Sequence, residues 1–151
     1  MKRYTYEFEI FEDSGFWCVL PFGLGGATQG NTREEAIESA AEWLQIVAED
    51  AEIWKKELSS PVFGMPLEHG GERLIVSVVA GRETIDTVSA AQAAELLGVS
   101  RPRVSQLLNS KALEGWIEGR NTFVTVDSIM ARLSEPLPVG GRPKKIAAVA
   151  L

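Results

Sequence analysis

The chain has 151 residues, of which 45% are hydrophobic and 24% charged. That composition belongs to a globular protein and excludes disordered and fibrous classes. The single cysteine, Cys18, excludes a disulfide framework and a cysteine-rich metal centre.

The formal net charge of −6 hides a division: residues 1–86 hold seven Lys/Arg against sixteen Asp/Glu, and residues 87–151 hold eight against five. Halves of opposite sign predict different partners. Met1–Glu7 lacks the apolar run of a signal peptide, and no stretch approaches the roughly 18 apolar residues of a membrane helix. A soluble, cytoplasmic protein with no membrane partner is expected. The predicted organisation is a first domain over residues 1–81, a polar hinge over 82–87, a second domain over 88–135 and a basic and apolar tail over 136–151.

Residues 4–11, YTYEFEIF, place Tyr4, Tyr6, Phe8 and Ile10 on one face and Thr5, Glu7 and Glu9 on the other. Period two with aromatic and β-branched residues predicts a half-buried strand, with Glu7 and Glu9 on its wet face. Glu12-Asp13-Ser14-Gly15 supplies turn chemistry, and Phe16–Leu20 completes a hairpin that ends at Pro21, which cannot donate to a ladder. Ala27-Thr28-Gln29 is read as a short third strand. Thr32-Arg33-Glu34-Glu35 is a capping box: the Thr32 hydroxyl accepts from the Glu35 N–H, and the Glu35 carboxylate reaches back to Thr32.

Apolar residues then recur at Ile37, Ala40, Leu44, Val47, Ala51, Trp54 and Leu58, predicting a helix of about six or seven turns that Ser59-Ser60-Pro61 ends. Its outer face carries Glu38, Glu42, Glu49 and Glu52. A last strand is expected over Leu74–Ala80. The order β-β-β-α-β describes a small antiparallel sheet covered by one long helix.

The stretch GFWCVLPFGLGGATQGNTREEAIESAAEWL, with GMPL at Gly64–Leu67 leading into the last strand, resembles the N-terminal domain of HicB-type antitoxins over roughly residues 3–80. The resemblance implies a truncated ribonuclease-H-like fold that binds and blocks a small toxin. Phe22 and Leu24, beside the second strand, are the expected toxin-docking residues, whereas Trp17 is assigned to the core. Ribonuclease-H chemistry would require several carboxylates converging on two divalent ions. Glu7 or Glu9 with Glu34 or Glu35 are the candidates, but each has a structural reading, so no enzyme activity, metal or cofactor is expected. His69, the lone histidine, is read as a solvated loop side chain, and Cys18 as a small packed hydrophobe.

In the second half, Ser89 caps a helix over Ala90–Leu97, with Gln92 at the capping-box position. Ala94 allows close approach, Gly98 reverses the chain with positive φ, Val99 fills the corner and Ser100 caps a second helix. Val104, Leu107 and Leu108 form its buried stripe. At ~100° per residue, Pro102, Gln106 and Asn109 then point outward, flanked by Arg103 and Ser105. Trp116-Ile117 and Phe123–Val126 predict a hairpin with Arg120 at its tip, and Glu114 and Glu118 place negative charge beside it. Asp127 is the expected cap, and Pro136 the stop, of a closing helix.

VSAAQAAELLGVSRPRVSQLLN with EGRNTFVTVDSIMARL resembles the excisionase and MerR-like families, which implies an α-rich winged helix-turn-helix domain that binds duplex DNA. The predicted base contacts are Gln106 and Arg103, with Asn109, like Gln106, suited to adenine. Ser100, Arg101 and Lys111 are assigned to phosphate, Pro102 and Ser105 to the same face, and Arg120 to backbone or minor groove. Gly141–Lys145 resembles an AT-hook with Gly140 in place of its first arginine. It is read as a solvated basic tail, with Ile146–Leu151 packing on a neighbouring subunit.

Together these readings predict the antitoxin of a type II toxin–antitoxin system. It would neutralise a small basic HicA-like ribonuclease and, as a homo-oligomer, repress its own operon by binding double-stranded operator DNA. The rival expectation is an orphan transcriptional regulator whose first domain binds a ligand or dimerises.

Overall fold

A computed structural model describes residues 1–135. The expectations for Pro136, Gly141–Lys145 and Ile146–Leu151 lie outside the described residues. The chain is α+β, with two small antiparallel sheets and four α-helices among the described residues, and it divides into units at Ile85 and Asp86.

In the first unit, β1 (Lys2–Asp13), β2 (Phe16–Pro21), β3 (Thr28–Gly30) and β4 (Glu72–Ala80) form one sheet in the order β3-β2-β1-β4. Ser14 and Gly15 both have positive φ (54° and 83°) between the paired Asp13 and Phe16, the signature of a two-residue primed hairpin turn. The period-two pattern holds on the helix side. Tyr4, Tyr6, Phe8 and Ile10 are buried with Val19, Val76 and Ala80 under α1 (Arg33–Trp54).

The line of closest contact along α1 is Ala36, Ala40, Leu44, Ala48 and Ala51, whereas the larger Ile37, Val47 and Trp54 of the predicted stripe lie half-buried beside it. Small residues on that line let the helix backbone approach a face already filled by two tyrosines and a phenylalanine. The helix is also shorter than expected. Lys55 takes the left-handed conformation (φ 51°) and closes it, so Leu58 leaves the helix and packs against the same core from the following segment. At the other end the Thr32 hydroxyl accepts from the Glu35 N–H (3.1 Å) as expected. The Glu35 carboxylate accepts from Asn31 (2.9 Å), one residue earlier than the box requires.

The opposite face of β1 is not wet. Glu7 and Glu9 are only 5% and 2% exposed, because residues 56–71 fold over them. The Glu9 carboxylate accepts from the backbone N–H groups of Glu68 (2.9 Å), His69 (2.9 Å) and Gly71 (3.0 Å). His69 Nδ1 lies 3.3 Å from it. Burial alone would push this carboxyl up, but the three backbone donors and His69 together hold it below the ordinary glutamate value. Glu7 accepts from Gly64 N–H (3.1 Å) and from Arg73 Nη1 (2.6 Å). His69 is exposed, as expected of a loop side chain, but its ring is also engaged, stacking on Phe11 at 4.2 Å between centroids.

The expected hinge is structured. Arg82–Thr84 forms a single 3₁₀ turn, and the Thr84 hydroxyl donates to Glu49 of α1 (2.9 Å). Thr87 already belongs to the second unit, in a strand absent from the sequence reading, β5 (Thr87–Ser89). That unit's sheet has the order β5-β7-β6, with β6 over Gly115–Glu118 and β7 over Asn121–Thr125. Its helices are α2 (Ala90–Leu97), α3 (Arg101–Asn109) and α4 (Val126–Leu133). Ala93, Ala94, Val104, Leu107, Leu113, Val124 and Ile129 form its core.

Ser89 and Gln92 complete a reciprocal capping box, and Gly98 turns the chain at φ 67°. Val99 does not fill the corner as expected. It is on the surface, while its N–H donates to Ala94 O (3.0 Å). The cap of α4 is Thr125, whose hydroxyl accepts from Ser128 N–H (3.3 Å), and Asp127 sits inside the first turn instead, where it favours the helix dipole.

Candidate nucleic-acid interface

The outward surface of α3 follows from its cap and its roots. The Ser100 hydroxyl accepts from the Arg103 N–H (3.2 Å), which fixes the helix start. Pro102 stands within the first turn, where its missing N–H costs nothing. Val104 and Leu107 are fully buried and Leu108 half-buried, so one side of the helix is committed to the core. By helical geometry the other side must face out. Arg101, Pro102, Arg103, Ser105, Gln106 and Asn109 are all exposed, as is the capping Ser100. Arg103 Nη1 donates to Gln106 Oε1 at 3.3 Å, so these two side chains are held alongside one another. Lys111, also exposed, follows the helix in a left-handed conformation (φ 64°).

The β6–β7 hairpin is tightened by a two-residue turn. Glu118 pairs with Asn121, Gly119 adopts φ 58°, and Arg120 lies exposed at the tip. Trp116 and Phe123 stack across the hairpin at 5.6 Å and stiffen it. Arg101 and Arg120, far apart in sequence, line one cleft of about 420 Å³ together with Thr87, Ser89, Gln92 and Asn121. Two guanidinium groups beside hydroxyl and amide donors suit a phosphate oxygen. The sequence reading missed Thr87, Gln92 and Asn121 as members of this surface. An exposed capping-box glutamine beside an arginine-tipped hairpin was the available signal for Gln92.

The positive charge is local. Residues 87–135 hold five Lys/Arg and five Asp/Glu, so the surplus in the second half comes from residues 136–151. Four of those five cations, Arg101, Arg103, Lys111 and Arg120, lie on α3, just after it, or at the hairpin tip. Glu114 immediately precedes β6 and Glu118 ends it, and the Glu114 carbonyl accepts from Thr125 N–H (2.8 Å).

In the first unit, the two apolar residues assigned to docking are both partly buried. Leu24 packs against the core, and Phe22 is half-buried, with its N–H donating to Glu7 O (2.9 Å). Trp17 packs on the core as expected. More exposed apolar side chains lie elsewhere, among them Val62, Phe63 (53% exposed) and Met65 on the loop that Glu7 and Glu9 hold, and Ile46 and Ile75 outside it.

The carboxylates weighed for metal chemistry do not converge. Glu7 and Glu9 lie under that loop on one face of the sheet, while Glu34 and Glu35 start the helix on the other. Among the described residues no three His, Cys, Asp or Glu side chains are grouped to hold a metal ion. Comparison of the chain with protein-family models, with curated proteins and with solved structures found no match.

Proposed function

We propose that the chain is a sequence-specific DNA-binding regulator of the antitoxin type. In this reading the second unit is a winged helix-turn-helix: α3 enters the major groove, and the β6–β7 wing meets the backbone. The observation that carries it is the ridge of Arg103, Gln106 and Asn109, exposed on a helix rooted by Val104 and Leu107. Gln106 and Asn109 are suited to adenine and Arg103 to guanine. Arg101 and Arg120, which share one cleft, would clamp a phosphate beside the ridge.

The first unit, in the same reading, is a HicB-like domain that blocks a small basic RNA-cleaving toxin. Its acidic balance supports that half of the proposal, since opposite charge speeds encounter with a basic partner. One such DNA-binding module makes few phosphate contacts, so operator affinity calls for two copies on half-sites about 34 Å apart or a multiple of that.

The test is a titration of the full chain against the DNA upstream of its own reading frame, with an unrelated duplex of equal length as control. Gln106→Ala should lower specific affinity by about 1–3 kcal/mol, roughly 5- to 150-fold, and leave binding to the unrelated duplex unchanged. Equal loss on both duplexes, or no preference in the parent chain, would overturn the proposal. Co-expression with the adjacent reading frame separates the two halves of the reading, because a stable complex with a short basic product supports the toxin-blocking role alone.

A further inference from the structure

The two edges of the first sheet are unlike. One is β3, three residues long, and the other is β4, nine residues without proline. The outward backbone groups of β4 can be identified. Phe22 N–H donates to Glu7 O on the β2 side of β1, so odd residues of β1 face β2 and even residues face β4. The register Tyr4–Val78, Tyr6–Val76, Phe8–Leu74 then turns Leu74, Val76 and Val78 toward β1. Arg73, Ile75, Ser77 and Val79 point away, because backbone groups alternate along a strand. Independently, Gln45 Nε2 donates to Val79 O at 3.0 Å, which both confirms the direction of Val79 and closes that end of the edge. Three residues remain with outward N–H and C=O groups, Arg73, Ile75 and Ser77, and no backbone partner beyond β1 is found for them among the described residues. The middle one carries the strand's only large exposed apolar side chain, Ile75, at 60% exposure.

We propose that this edge pairs antiparallel with β4 of a second copy of the chain, on a twofold axis through Ile75, to make one continuous eight-stranded sheet. An open row of three amides selects an extended backbone as its partner, and a strand centred on its middle residue is complementary to itself. In this register Ile75 faces Ile75 of the second copy, which removes both from water. Arg73 lies opposite Ser77 and Leu74 opposite Val76, so no like charges oppose. A parallel arrangement would instead bring the two Arg73 side chains together. From Arg73 to Ser77 nothing found among the described residues blunts the edge against pairing: the Arg73 guanidinium is engaged by Glu7, and the Ser77 hydroxyl by Thr5 and Arg3. The pairing does not depend on the DNA-binding reading.

The test uses the full chain. Sedimentation across a concentration series should show a dimer in the parent, and Ile75→Pro should raise its dissociation constant on the order of tenfold or more, since both central N–H···O bonds vanish together. Proline at an outward-facing edge position leaves the bonds to β1 intact, so an unchanged circular dichroism spectrum is expected. In a Cys18→Ser background, Ile75→Cys should form a disulfide-linked dimer, because the facing Cα atoms of a bonded antiparallel pair lie about 5.5 Å apart. Ser77→Cys should not, since its two copies lie about 14 Å apart along the strands. A monomeric parent, undiminished association in a folded Ile75→Pro, or equal cross-linking at both cysteines would overturn the proposal. If the proline variant unfolds, the cysteine pair decides alone.

Discussion

Replacing Glu9 by Gln isolates the interaction on which the covered face of the first sheet rests. The parent carboxylate accepts three backbone N–H bonds at 2.9–3.0 Å and faces His69 Nδ1 at 3.3 Å. Glutamine keeps one carbonyl oxygen, able to serve two of these donors, and turns its NH₂ group toward the others. At about 1.5–3 kcal/mol for each hydrogen bond to a charged acceptor, loss of two bonds would cost up to ~6 kcal/mol. The loop lies at the surface, so water recovers part of this, and the expected loss is about 2–4 kcal/mol.

For a unit of this size that corresponds to a fall in Tm on the order of 10–20 °C. Chemical denaturation at pH 7 measures it, with the exposed Glu12→Gln as a control expected to stay within about 0.5 kcal/mol. The pH dependence has a definite sign. The folded state holds Glu9 below its unfolded value of 4.5, so its contribution is complete above that pH and is lost as pH falls through the lower folded value. The gap between parent and Glu9→Gln should therefore be widest near neutrality and narrow in acid. A loss below about 0.5 kcal/mol, with the amides of Glu68, His69 and Gly71 still protected from hydrogen exchange, would refute the claim that Glu9 holds the loop.

Three other outcomes follow from the second unit. Arg120→Ala should reduce the slope of log affinity against log salt by about 0.9, one phosphate contact, without changing which sequence is preferred; binding titrations between 50 and 200 mM salt would show it. Gly98→Ala places a side chain at φ 67° with no atom within 4 Å of the new Cβ, so its cost is conformational, about 1–2 kcal/mol in a denaturation curve, with no rearrangement of α2 or α3. Gly115→Ala is more severe. Its Cβ would lie 2.1 Å from the Phe123 carbonyl oxygen, so the β6–β7 pairing must open, and hydrogen exchange should show lost protection along β7.

Much of the local architecture is legible in the residues themselves. The alternation in β1, the Thr32 and Ser89 caps, the Gly98 turn and the two faces of α3 each depend on neighbours within about four positions, and chain geometry converts such spacing directly into direction. The exposure of Arg103, Gln106 and Asn109 is of this kind.

What tertiary structure decided is how those directions are used. Alternation shows that β1 has two faces, but only the fold brings Glu68–Gly71, about sixty residues away, over Glu9 and turns an apparently wet carboxylate into a buried acceptor. It likewise ends α1 at Trp54, where Lys55 turns left-handed and Leu58 packs on the core from outside the helix. The pairing of Thr87–Ser89 with β7, and the shared cleft that Arg101 and Arg120 line, join residues whose separation along the chain carries no periodic signal. Spacing assigns a side chain its side of an element, whereas its neighbour across space depends on how the whole chain closes, and burial and charge are settled there.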